Sequence, residues 1–85
     1  MKITQKFHDK LELAKQKGFK RVYVVIGKYM STTYCYFVDI DELLQLPIGA
    51  TYNAPQRWSS RWTGHPNTRQ ATSTDIKYSE VLNLQ

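Results

Sequence analysis

Apolar residues recur at Ile3, Phe7, Leu11 and Ala14, at spacings of four, four and three. That is one face of a 3.6-residue period, and it predicts an amphipathic helix over residues 3–17. Lys2, Lys6, Lys10 and Lys17 flank or oppose the apolar face. Gly18 is a natural stop, and Lys15 and Lys17 suit the negative end of the helix dipole. The pattern then changes. Val22, Tyr23, Val24, Val25 and Ile26 form a β-branched and aromatic run that predicts a strand over residues 20–29. Gly27 marks an expected bulge and residues 30–33 an expected turn. Residues 34–38 read as the return strand, with Tyr34, Tyr36 and Val38 on one face and Cys35 and Phe37 on the other. The two strands make an antiparallel hairpin.

Asp39-Ile40-Asp41-Glu42 reads as a capping box, with Asp39 as N-cap and Glu42 reaching back. Leu43, Leu44 and Leu46 follow as a short second helix that Pro47 ends. Residues 48–74 carry Gly49, Pro55, Gly64 and Pro66 among many Thr, Ser and Asn, with little periodicity. They read as one long basic and aromatic loop. Ile76, Tyr78, Leu82 and Leu84 sit at even spacings, which predicts a last strand over residues 75–84; a helix capped by Ser73 or Thr74 is the alternative. The whole, residues 1–85, is expected to be a single α+β domain. Its N-terminal helix packs on a small antiparallel sheet of about three strands, followed by the short helix and the long loop.

Eighty-five residues leave a core large enough for a binding surface and a poor setting for a deep, water-excluded catalytic pocket. The single cysteine, Cys35, rules out an intrachain disulfide framework and fits a reducing, cytoplasmic compartment. The longest apolar run, Val22 to Ile26, is far too short to cross a bilayer. The N-terminus lacks the apolar core of a signal peptide.

Charge sharpens the picture. The net charge is +5, unevenly spread: residues 1–28 hold eight Lys/Arg against Asp9 and Glu12, and residues 29–85 hold four against five acids. A basic first third attracts polyanions. From Leu43 to Thr74 there is no acid at all, and the middle reads Arg57-Trp58-Ser59-Ser60-Arg61-Trp62. Both tryptophans of the chain are here, each after an arginine; His65 and Arg69 add further cationic character. Guanidinium takes phosphate and indole stacks on a base. The same pairing anchors protein interfaces, and the two indoles also suit a small satellite core.

Other chemistry is sparse. Asp39, Asp41 and Glu42 suggest a divalent-metal site with Lys28 as a catalytic lysine, but a helix N-terminus explains the same acids, and no second carboxylate segment is in place. His8, His65 and Cys35 are too few and too scattered for zinc. No glycine-rich phosphate loop is present. Tyr34 and Tyr36 suggest a stacking face on the sheet, without the basic-glycine-aromatic motif of RNA-binding sheets.

The expected function is therefore a small non-enzymatic binding domain with neither cofactor nor metal. It would engage nucleic acid, as RNA or single strands, through Arg57, Trp58, Arg61, Trp62, His65 and Arg69. Lys6, Lys10, Lys17, Lys20, Arg21 and Lys28 would supply a wider basic field. The alternative is a protein-protein inhibitor or adaptor of the phage type, docking on the acidic groove of a host nuclease, toxin or other nucleoprotein. The sequence points to no membrane partner and leaves the oligomeric state open.

Overall fold

The computed structural model describes residues 1–29, 31–55 and 71–85. In chain order the elements are α1 (Gln5–Gln16), β1 (Arg21–Tyr29), β2 (Thr32–Asp39), α2 (Ile40–Leu44), β3 (Asp75–Lys77) and α3 (Tyr78–Val81). The architecture is α+β: an N-terminal helix, a three-stranded sheet and a short second helix.

Helix α1 begins two residues after the start of the apolar repeat because Thr4 caps it. The Phe7 amide donates to Thr4 Oγ1 at 3.1 Å, which satisfies one of the amides left over at a helix start. The helix ends where periodicity and glycine place the stop. Gly18 takes φ 99°, a conformation costly for any residue with a Cβ. Phe7, Leu11 and Ala14 are buried along one face, together with Ile3 just ahead of the helix.

Strands β1 and β2 pair antiparallel, and the ladder runs out to Tyr29 opposite Thr32. Ser31 accordingly adopts φ 70°, since tight hairpin turns need left-handed residues. The register shifts between Val25 and Gly27, so Ile26 is the extra residue of a bulge. A bulge changes which face the following residues occupy. Without it Lys28 would continue the Val22–Val24 row. With it Lys28 stands opposite Thr33, on the face of Cys35 and Phe37.

Strand β3 joins the other side of β1, giving the order β2-β1-β3. Its pairing with β1 is parallel, so the sheet is mixed rather than antiparallel throughout. The chain returns through α2 and the long segment after it, entering β3 in the direction of β1. The strand is also short. Expected to run to residue 84, it stops at Lys77 and turns into α3. The reason lies in packing: Tyr78 meets Phe7 edge-to-face at 5.6 Å and Val81 is fully buried. Two contacts three residues apart toward one side require a helical turn.

One sheet face carries the core. Val22, Val38 and Ile76 pack with Ile3, Phe7, Leu11, Ile40, Leu43 and Val81; each such side chain contributes roughly 1.5–3 kcal/mol. Residues 1–3 add a short pairing with residues 49–52: the Ile3 amide donates to the Ala50 carbonyl at 2.8 Å and the Tyr52 amide to the Met1 carbonyl at 2.7 Å. Tyr36 and Tyr52 join hydroxyls at 3.1 Å.

The capping box does not form. Asp39 precedes α2, but its side chain makes no cap hydrogen bond. Asp39 is still the last ladder residue of β2, opposite Arg21, and the Ile40 amide goes to the Lys20 carbonyl. Asp41 instead reaches Lys15 of α1 at 2.6 Å.

Candidate nucleic-acid interface

The sheet has a second face, and cross-strand pairing fixes its composition. Residues opposite one another share a face. Arg21, Tyr23, Val25 and Lys28 of β1 therefore stand beside Asp39, Phe37, Cys35 and Thr33 of β2. Asp75 and Lys77 of β3 complete the rows of Arg21 and Tyr23. Among the described residues, all three helices pack through the opposite face.

At one end of this surface Arg21 is pinned. Its Nε donates to Asp75 Oδ1 at 2.9 Å and its Nη2 to Oδ2 at 3.3 Å. The Asp75 side chain is fully buried, whereas that of Arg21 keeps 25% exposure. Thr72 adds its amide at 2.9 Å and its hydroxyl at 3.2 Å to Oδ2. This carboxylate thus ties the end of the long segment to β1. The same guanidinium lies 4.8 Å from the Phe37 ring centre, a cation–π geometry.

Phe37 and Tyr23 form a ring pair with centroids 5.8 Å apart and planes tilted by 38°. Burial, then nearby Glu80, push the Tyr23 hydroxyl above its ordinary range. Val25 is 41% exposed beside them. Cys35 is buried, only 4% exposed. Burial pushes its thiol up, while Lys77 pulls it down.

The predicted basic residues fall in different places. Lys6, Lys10 and Lys17 share one flank of α1, by 100° per residue. Lys10 is occupied, its ammonium donating to the Leu84 carbonyl. Lys20 sits where the chain enters β1 and Lys28 near its other end. A seven-step strand path of roughly 23 Å separates Lys28 from Arg21, so these cations form no single cluster. Arg57, Trp58, Arg61, Trp62, His65 and Arg69 lie outside the described residues.

Three of the seven carboxylates enter ion pairs among the described residues. Asp75 holds Arg21, Asp41 holds Lys15, and Glu12 lies 3.6 Å from His8. Among the described residues no ion pair engages Lys2, Lys6, Lys17, Lys20, Lys28 or Lys77. An open cleft of about 690 Å³ lies between the end of α1 and the start of α2, and Lys15, Lys20, Asp39, Asp41 and Glu42 line it. Its charges are mixed. Among the described residues no group of three His, Cys, Asp or Glu is arranged to hold a metal ion. No described helix is long and apolar enough to cross a membrane.

The sequence reading named Tyr34 and Tyr36 as the stacking candidates. They occupy the face of Val38, and Tyr36 packs against the core. Tyr23 and Phe37 form the ring pair on the other face. Pairing of Tyr29 with Thr32, inside the turn expected over residues 30–33, together with the extra residue Ile26 brings residues 23 and 37 opposite one another. Comparison with family models, with curated proteins and with solved structures finds no match for this chain.

Proposed function

We propose that the protein is a small, non-enzymatic nucleic-acid-binding domain that engages RNA or single strands. The observation that carries this reading is the uneven commitment of charge. Among the described residues six lysines, Lys2, Lys6, Lys17, Lys20, Lys28 and Lys77, enter no ion pair and donate no side-chain hydrogen bond, against four acids outside any ion pair, Asp9, Asp39, Glu42 and Glu80. A surface of unpaired ammonium groups favours a polyanion, whose condensed counterions are released on binding. The acid-free stretch with its two Arg-Trp steps supplies the chemistry that distinguishes nucleic acid from other polyanions.

The test is the salt dependence of binding to a labelled single-stranded oligonucleotide, read by fluorescence anisotropy. About four to six phosphate contacts, at about 0.7 each, predict a log–log slope of roughly −3 to −4. Between 50 and 200 mM salt, affinity should therefore fall about 100-fold. A change of less than threefold would remove the nucleic-acid reading. A stoichiometric protein partner recovered unchanged after nuclease treatment would favour the inhibitor reading instead.

A further inference from the structure

We infer that the sheet face away from α1 is the base-stacking platform for single-stranded nucleic acid, with Tyr23 and Phe37 stacking bases and Lys77 and Lys28 taking flanking phosphates. This rests on the nucleic-acid reading and assigns it a surface on the folded sheet. The ring pair sits at the centre of the face, across β1 and β2. Every base has a π-face, so such a pair takes single strands with little sequence preference. In a duplex the bases are already stacked and their faces are closed to it.

The face carries both signs: Lys77 and Lys28 flank the rings, Asp39 stands at the Arg21 end and Glu80 lies near the Tyr23 hydroxyl. Arg21 is satisfied by Asp75, which leaves it positioning Phe37 rather than binding phosphate. Lys77 stands next to Tyr23 in register, is exposed and enters no described ion pair. Lys28 reaches this face only because of the bulge at Ile26. An aromatic centre with a lysine at the β3 edge and another toward the hairpin tip complements a strand of bases joined by phosphates. A protein hot spot would have no need of the two free ammonium groups. The face also offers partly exposed Val25 beside the rings, an apolar floor on which a sugar or base can rest.

The experiment compares a ten-nucleotide single strand with the corresponding duplex, using wild type, Phe37→Leu, Tyr23→Leu, Phe37→Tyr and Lys6→Glu. Loss of one stacked base predicts single-strand affinity lower by about 5- to 150-fold in each leucine variant. Phe37→Tyr should stay within about twofold, and duplex affinity should change little in any ring variant. Leucine variants that remain folded and bind single strands as wild type does would overturn the platform. If Lys6→Glu still weakened binding, the broader nucleic-acid reading would stand. Wild-type protein that binds neither probe would overturn both. Photo-crosslinking of wild type with a 4-thiouridine oligonucleotide keeps the question decidable should a leucine variant unfold. Adducts in the tryptic peptide of residues 22–28 support the platform, and adducts confined to α1 exclude it.

Discussion

Replacing Asp75 by Asn should destabilise the domain far more than an ordinary surface change. The carboxylate is fully buried and receives two donors from Arg21 and two from Thr72. Asn keeps one acceptor oxygen and turns an amide donor toward one of those donor sets. Breaking a buried pair from one side costs about 3–5 kcal/mol. The Arg21 side chain keeps 25% exposure, so water recovers part of that loss and about 2–3 kcal/mol remains. Unfolding an 85-residue chain carries roughly 0.18 kcal/mol/K of entropy, so the midpoint should drop by about 11–17 °C. The assay is thermal unfolding by circular dichroism, run as a cycle with Arg21→Met, which keeps an apolar stem over Phe37. A coupling of at least about 1 kcal/mol is expected. A drop under about 4 °C, or additive single mutants, would refute the view that this pair closes the fold.

Thr4→Ala should cost about 0.5–2 kcal/mol through the lost cap on Phe7, whereas Asp39→Ala, whose side chain caps nothing, should stay within about 0.5 kcal/mol; urea melts of the two variants decide. Burial and the Tyr36 hydroxyl raise Tyr52 well above its usual 10.0. The folded state then holds a proton that the unfolded state has released, so stability should fall as pH climbs past about 10, by at most about 1.4 kcal/mol per pH unit from this group. Tyr52→Phe should flatten that alkaline limb, and an unchanged limb would exclude the assignment. The Cys35 thiol, raised by burial, should alkylate with iodoacetamide at pH 8.5 at least about tenfold more slowly in native than in denatured protein; equal rates by mass spectrometry would show that its burial is not maintained in solution.

What the sequence disclosed tracks what local physics determines. The α1 face, the stop at Gly18 and the β1 run each depend on neighbours a few residues away and stand where the pattern puts them, and the bulge falls one residue before Gly27, at Ile26. Strand β3 depends on a partner far along the chain. Even spacing at Ile76 and Tyr78 fits a strand of either direction, and the turn of helix after Lys77 is set by Phe7 and the core. Asp39 shows the opposite error. The residue types of a capping box were present, but the strand ladder kept its residue and the cap went unmade. The proposed interface was half legible. Composition supplied the cations, and only the register showed that Tyr23 and Phe37 meet while Lys10 and Arg21 are spent internally.

The parallel union of β1 and β3 sets an order of assembly. The hairpin's closing pair, Tyr29 and Thr32, is three positions apart, whereas Arg21 and Asp75 are 54 residues apart. By chain statistics the second closure costs about 2–3 kcal/mol more than the first. A ladder of three residues, the Asp75 contacts and the burial of Ile76 repay it once the strand docks. The β1–β2 hairpin therefore forms early, with β3 docking last and opening first. In native-state hydrogen exchange the amides of residues 75–77 should report a partial opening well below the global unfolding energy. In that open form the buried carboxylate of Asp75 returns to water and the edge of β1 is bare. A brief excursion of the last strand would offer the edge of β1 to proteases and to pairing with other strands.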